Sequence, residues 1–162
     1  MNWIALRRIH TIVLSAAVGL LVACNADGQD KKSVFRLDGL QAKVYYTRTG
    51  RFSPNVLTDP ATSLQNGKGP EGPFQGTLIL ATVRGPSRQG AKGLKLRVAA
   101  RTKKATLLEQ TVDVGEMNSN GNYYAAFWVN EDSCEPLTVE ARLILGDPGP
   151  SLKGVIGFFC AE

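Results

Sequence analysis

The chain has 162 residues, which is enough for one ordinary domain with a substantial hydrophobic core. The chain has nineteen basic and fourteen acidic residues. This mild excess of positive charge does not indicate nucleic-acid binding, which usually requires clustered basic residues in a recognisable module. A single histidine and three cysteines, without a Cys-x-x-Cys motif, provide few groups for metal binding or nucleophilic catalysis.

The N-terminal segment has the pattern of an export signal. Arg7 and Arg8 precede thirteen uncharged residues, 11–23, and Cys24 follows directly. A run of this length is typical of a signal-peptide h-region, because a membrane-spanning helix needs roughly 20 apolar residues. Its end, Leu21-Val22-Ala23-Cys24, resembles the lipobox of bacterial lipoproteins.

The resemblance covers only these first residues, and it implies a location. In that family the cysteine thiol, here Cys24, receives a diacylglyceryl group, residues 1–23 are removed and the new amino terminus is acylated. The mature protein would then be held on the extracytoplasmic side of a membrane. Asn25 in place of Asp favours the outer membrane if the cell is Gram-negative. An ordinary signal peptide cut nearby and an uncleaved N-terminal anchor stay open.

Removal of the signal peptide would change the available chemistry. His10 is the only histidine, so the mature chain would lack imidazole, which excludes serine–histidine and cysteine–histidine catalysis and histidine-ligated metal sites. Loss of Arg7 and Arg8 leaves seventeen basic residues against fourteen acidic ones, a net charge of about +3. No cofactor and no metal are expected.

Two cysteines remain after Cys24, and an even pair in an exported chain predicts a disulfide between Cys134 and Cys160. Two unpaired buried thiols are the alternative. Residues 24–32 are polar and are interpreted as the lipidated N-terminus and tether, and 33–162 as one folded domain.

Strand patterns dominate this domain, and no segment shows a convincing helical period. Short apolar or alternating runs separated by turn residues predict an all-β antiparallel sandwich of about seven or eight strands, immunoglobulin-like in architecture at most. The predicted strands are 34–37, 42–47, 77–84, 94–101, 107–114, 123–129, 137–145 and 154–160.

Residues 94–101 and 107–114 also predict a pairing register. Leu94, Leu96, Val98 and Ala100 alternate with basic residues, as expected for a half-buried strand. A hairpin about Lys104 sets the apolar residues of both strands on one face. The same register places Lys95 opposite Asp113, and Arg97 opposite Thr111 and diagonal to Glu109.

The segment 49–76 is long, rich in Pro and Gly and poor in apolar residues, which predicts a loop of unusual length. Its basic and aromatic side chains are candidates for gripping an anionic or glycan ligand: Arg48, Arg51, Phe52 and Lys68. The alternative is an insertion without specific function, in which Phe52, Val56 and Leu57 tuck onto the edge of the sandwich.

Two charged clusters have a functional and a structural interpretation. Glu131, Asp132 and Glu135 surround Cys134 and suggest either a weak Ca²⁺ site or a solvated acidic turn. The basic stripe is either a contact for anionic head groups or a solvated sheet face balanced by Glu109 and Asp113; it comprises Lys95, Arg97, Arg101, Lys103 and Lys104.

The leading hypothesis is a non-enzymatic, lipid-anchored binding or structural module of the cell envelope. Its expected partners are the membrane, through the N-terminal lipid, and an envelope protein, a glycan or an anionic lipid. The second hypothesis is a hydrolase of envelope glycans that uses carboxylates such as Glu131 and Asp132 as its acid and base.

Overall fold

A computed structural model describes residues 34–59, 64–130, 134–145 and 147–160. Within these ranges the chain contains no helix and forms eleven strands. The strands are β1 (Arg36–Tyr46), β2 (Arg51–Phe52), β3 (Leu64–Gln65), β4 (Lys68–Gly69), β5 (Gly72–Arg84), β6 (Lys95–Arg101), β7 (Thr106–Asp113), β8 (Asn122–Val129), β9 (Leu137–Leu145), β10 (Asp147–Ile156) and β11 (Phe158–Phe159).

The strands form two sheets of an all-β sandwich. The larger sheet has the order β11-β3-β4-β5-β1-β2, with β8 also paired to β5, and the smaller sheet has the order β10-β9-β6-β7. All pairings are antiparallel except that of β3 with β11. Four of the strands have only two residues, so the seven longer strands agree with the predicted number.

One hydrophobic core lies between the inner faces of the two sheets. The larger sheet contributes alternate residues such as Val44, Ile79 and Phe127, and the smaller sheet contributes residues such as Leu96 and Val139. Alternation of buried and exposed positions along β6, β8 and β9 is the pattern that a sheet with one buried face requires.

The predicted register of β6 and β7 is confirmed. Lys95 pairs with Asp113, Leu96 with Val112 and Arg97 with Thr111. The apolar face of β6 is buried, and the basic face points to solvent except at Ala99, which is buried although it lies on the outer face.

The prediction of two strands separated at Asp38-Gly39 is wrong, because β1 runs through these residues as one strand. The register against β5 shifts between Leu37 and Gly39, as in a β-bulge. Asp38 there bonds Arg36 at 3.1 Å and Arg84 at 3.6 Å. Since Arg36 and Arg84 are directly opposite each other, one carboxylate bridges a pair of like charges.

The end of the described chain passes from one sheet to the other. β10 belongs to the smaller sheet, and β11, only two residues later, pairs with β3 of the larger sheet. Ile156 and Phe158 are buried on the two sides of this crossing, and the Phe158 ring packs against Phe74 at a centroid distance of 5.9 Å. The C-terminal segment thus helps to hold the two sheets together.

Candidate functional site

Ser53 and Asn55, near the start of the candidate loop, are hydrogen-bonded to β1. The backbone N–H of Val44 donates to Ser53 Oγ at 3.0 Å, and that of Ala42 donates to Asn55 Oδ1 at 2.9 Å. Val56 is buried, as the non-functional interpretation of this loop expects. The segment 49–76 also contains β2, β3, β4 and the first residues of β5, so its described part is not a structureless loop.

Phe52 is turned outward and forms an aromatic cluster with two residues of neighbouring strands. Its ring lies 5.2 Å from that of Tyr45, with which it forms a cross-strand pair, and 6.3 Å from that of Trp128 on β8. The Tyr45 and Trp128 rings are 6.5 Å apart. Phe52 is 45% exposed and Trp128 is 38% exposed, so the cluster presents ring surface to solvent.

The backbone of β5 holds the indole of Trp128 in place. Gly76 has φ of +73°, and a Cβ atom at this position would lie 2.9 Å from Trp128 Nε1 and 2.6 Å from the carbonyl oxygen of Val129. The indole therefore packs directly on a strand position where only glycine leaves enough room. This contact limits the orientations available to the Trp128 side chain.

The aromatic cluster continues along the outer face of the larger sheet. On β8, Tyr124, Ala126 and Trp128 are all exposed, and Tyr124 is 60% exposed. Leu78 and Leu80 of β5 lie beside them and are half-buried.

Polar residues of β1 and of β5 itself form a second row beside these residues. Lys43 of β1 is opposite Leu78, Gln41 is opposite Leu80, and Thr82 lies in the same row of the sheet as Tyr124. We call the outer-face surface formed by both rows the aromatic platform; it comprises Gln41, Lys43, Tyr45, Phe52, Leu78, Leu80, Thr82, Tyr124, Ala126 and Trp128.

Among the basic candidates of the loop, Arg51 does not share a face with Phe52. Arg51 precedes Phe52 in β2 and pairs with Tyr46, whose side chain points to the core, so the two side chains of β2 point to opposite faces. Arg48 lies beside Gly72, and Lys68 pairs with Pro73 at the start of β5. Of the four predicted loop residues, only Phe52 is part of the platform.

Cys134 and Cys160 form the predicted disulfide, with their Cα atoms 4.9 Å apart. The bridge joins the segment before β9 to the residue after β11, so it secures the crossing between the sheets. The lipidation candidate Cys24 lies outside the described residues, as do Glu131 and Asp132. The calcium-site and hydrolase hypotheses that depend on these two carboxylates therefore remain predictions.

The basic stripe on the smaller sheet is largely ion-paired. Glu109 accepts from Arg101 Nη2 at 2.6 Å and also from Arg97, and these two guanidinium groups hold the pKa of Glu109 below its ordinary value. Lys104 pairs with Glu135 at 2.5 Å, which raises the pKa of Lys104 and lowers that of Glu135. These contacts agree with the interpretation of a solvated sheet face balanced by acidic residues.

The described residues contain no group of three or more His, Cys, Asp or Glu side chains arranged to hold a metal ion. None of them belongs to a helix with the length and hydrophobicity that crossing a bilayer requires.

The fold and its outer faces define an all-β sandwich with an exposed aromatic surface. Comparison with known proteins adds no family: no protein-family model matches the chain, and no curated protein matches it at a significant level.

Sequence reasoning missed Tyr45, Lys43 and Trp128, although alternation in "AKVYYT" and "YYAAFWV" puts members of each run on common faces. In "YYAAFWV" both faces are apolar, so the period alone does not tell which face is buried. The pairing of β8 with β5 decides it, because that contact turns Phe127 inward and Trp128 outward.

Proposed function

We propose that the chain is a non-enzymatic glycan-binding module, anchored through a lipid on Cys24 to the extracytoplasmic side of a bacterial membrane. The observation that carries the binding role is the exposed cluster of Tyr45, Phe52 and Trp128 on the outer face of the larger sheet. The lipobox resemblance of Leu21-Val22-Ala23-Cys24 supports the anchor and the location.

The exposed rings support a ligand that has apolar faces. Contiguous apolar surface on a sheet is costly in water, and such patches mark binding sites. Tyr45, Phe52, Tyr124 and Trp128 form this surface with Leu78 and Leu80 beside them. A sugar ring has a face of C–H groups that packs on aromatic rings, which are rigid and lose little conformational entropy on binding.

The flanking polar row supports a glycan over a purely hydrophobic partner. Gln41, Lys43 and Thr82 provide donors and acceptors beside the apolar row, in the positions where the hydroxyl groups along the edge of a stacked sugar would lie. From Tyr124 to Trp128 the platform extends about 13 Å along β8, at roughly 3.3 Å per residue, which favours an elongated oligosaccharide.

The test is binding of the full chain, purified in a neutral detergent, to a panel of insoluble and soluble envelope polysaccharides. We expect retention on at least one polysaccharide, and a loss of retention of at least about tenfold in Trp128→Ala, since exposed aromatic anchors commonly dominate binding. Phe159→Ala is the matched control, because Phe159 is exposed on β11, outside the platform. Equal retention of Trp128→Ala and wild type would refute the proposed role of the platform.

The anchor has a separate test. Mass spectrometry of the native N-terminus should find Cys24 as the first residue, carrying acyl chains, and Cys24→Ala should leave the membrane fraction. An N-terminus without acyl mass, together with unchanged fractionation of Cys24→Ala, would contradict the lipid anchor and leave the glycan test unaffected.

A further inference from the structure

The outer face of the smaller sheet contains a pocket that the proposed glycan platform does not use. Its volume is about 150 Å³, and it is lined by Arg97, Ala99, Arg101, Glu140 and Arg142. Ala99 is the small residue among long ones, and it is only 4% exposed although it lies on the solvent side of β6. The arginine side chains therefore project around the short side chain of Ala99, which forms the floor of the pocket.

Two of the arginines are directly opposite each other on neighbouring strands. Arg97 of β6 pairs with Arg142 of β9, and like charges in such cross-strand positions destabilise a sheet. Arg97 bonds Glu109, which also accepts from Arg101, whereas Arg142 bonds Glu140 at 2.8 Å. Among the described residues, no carboxylate bonds both Arg97 and Arg142.

The other opposed arginine pair of this protein provides a comparison. Arg36 and Arg84 are also directly opposite, and Asp38 bridges them with bonds to both guanidinium groups. The Arg97–Arg142 pair has no such bridge within the described chain, and it borders a pocket. A bound oxyanion would have the same role there that Asp38 has in the larger sheet.

The balance of charge around the pocket is positive. Three arginines face only two carboxylates, Glu109 and Glu140, and Lys153 of β10 adds another positive charge opposite Glu140. Each guanidinium has five N–H donors in a planar fork, and the ion pairs described here use one terminal nitrogen of each arginine. Donors therefore remain for a further acceptor.

We propose that this pocket binds the carboxylate of a small hydroxylated acid, of the chemical class of a uronate, between Arg97 and Arg142. A single negative charge suits the site better than a phosphate monoester, which has a charge of about −1.5 to −2 near neutral pH, because Glu140 also lines the pocket. The carboxylate of Glu140 accepts a hydrogen bond from a ligand hydroxyl, which selects a hydroxy acid over a simple one. A cavity of about 150 Å³ can hold a six-membered ring such as benzene, which is the scale of one small cyclic acid.

The test uses the full chain in neutral detergent at low ionic strength, titrated with glucuronate in a calorimeter. We expect saturable binding that weakens by at least about tenfold in Arg97→Gln and in Arg142→Gln, because each removes a charged hydrogen-bond donor. Glucose, which lacks the carboxylate, should leave glucuronate binding unchanged when it is added in excess, and glucose 1-phosphate should bind more weakly than glucuronate. Polygalacturonate, titrated in parallel, distinguishes a polymer-bound acid from a free one.

Two further variants separate recognition from folding. Lys95→Gln is the matched control, because Lys95 lies on the same face of β6 but pairs with Asp113 outside the pocket. Glu109→Gln releases Arg97 and Arg101 from their shared partner and should strengthen glucuronate binding, which a merely structural defect would not do. Absence of glucuronate and polygalacturonate binding by wild type, or undiminished binding by an Arg97→Gln/Arg142→Gln double variant, would overturn the proposal.

Discussion

Trp128 packs its indole on the backbone of Gly76, one strand away, at a position where a Cβ atom would lie 2.9 Å from Nε1. The same glycine has φ of +73°, a conformation that other residues adopt at a cost. The orientation of an exposed aromatic side chain is therefore determined by a residue that has no side chain of its own.

Gly76→Ala should both destabilise the fold and displace Trp128. The positive φ costs about 1–2 kcal/mol for a residue with a Cβ atom, and the new methyl group would also overlap the indole and the Val129 carbonyl. Urea denaturation measures the loss of stability. Fluorescence of a Trp3→Phe background, in which Trp128 is the remaining tryptophan, measures the displacement.

Gly93→Ala is the control for this prediction. Gly93 also has a positive φ, +77°, but nothing lies within 4 Å of its added Cβ atom. It should reproduce the cost of the backbone conformation and leave the Trp128 spectrum unchanged. Identical spectra for Gly76→Ala and Gly93→Ala would show that Gly76 does not position the indole.

The disulfide should contribute much of the stability of the C-terminal crossing. Cys134 and Cys160 are 26 residues apart, and closing a loop of this length stabilises a fold by about 3.5 kcal/mol on the chain-entropy model. The Cys134→Ser/Cys160→Ser double variant should lose stability up to that amount in urea denaturation. Amide exchange should accelerate first at β11, which among the described strands pairs only with β3.

Reduction of the wild-type protein is the matching control, since it breaks the same bond without changing any other atom of the side chains. It should shift the urea midpoint in the same direction as the double variant. A wild-type midpoint that does not respond to reduction would mean that the bridge contributes little, and that the Phe74–Phe158 contact holds the crossing unaided.

The architecture could be predicted from the sequence where a strand has one polar and one apolar face. β6 alternates Leu96, Val98 and Ala100 with basic residues, so both its buried face and its register with β7 followed from the pattern. The prediction was wrong where turn residues lie inside a strand. Asp38-Gly39 became a bulge. The segment between the predicted strands 137–145 and 154–160 belongs to β10 from Asp147 onward, and β10 is an edge strand, where proline is tolerated.

The binding surfaces were less predictable because they depend on contacts between distant segments. Phe52 was a candidate from the loop composition, but its partners Tyr45 and Trp128 lie on separate strands. The pocket was still harder to foresee, because it requires Arg142 of β9 to lie opposite Arg97 of β6. The sequence predicts β6 against β7, and it contains no comparable signal for β6 against β9.

Glu109 should make the stability of the smaller sheet sensitive to acid. Its hydrogen bonds with Arg101 and Arg97 lower its pKa in the folded state. The contribution of these bonds is therefore present above the unfolded-state pKa of about 4.3 and is lost as the pH falls through the lower folded-state value. Glu109→Gln should reduce stability at pH 7 and flatten its decline between pH 5 and pH 3.

Thermal denaturation across this pH range checks the prediction, with Glu116→Gln as control. Glu116 is exposed and forms none of the ion pairs found among the described residues. If the stability of wild type and of Glu109→Gln declines equally steeply as the pH falls, solvent screens the two ion pairs of Glu109 with the arginines, as it does for many surface pairs.

Tyr46 should make the stability of the fold decrease as the pH rises above about 10. Its side chain is only 1% exposed and lies against the backbone of Gly69, and burial, followed by the nearby carboxylate of Glu71, raises the pKa of its phenol above 10.0. A raised folded-state pKa means that the contribution of Tyr46 to stability is intact below the unfolded-state pKa of about 10 and is lost as the pH rises through the folded-state pKa.

Tyr46→Phe should therefore weaken the dependence of stability on pH between about 9 and 12, even if the variant is less stable at pH 7. Tyr124→Phe is the control, because Tyr124 is 60% exposed on the outer face. Urea denaturation at pH 8, 10 and 11 measures the effect, and an alkaline decline equally steep in Tyr46→Phe and wild type would assign the transition to other groups.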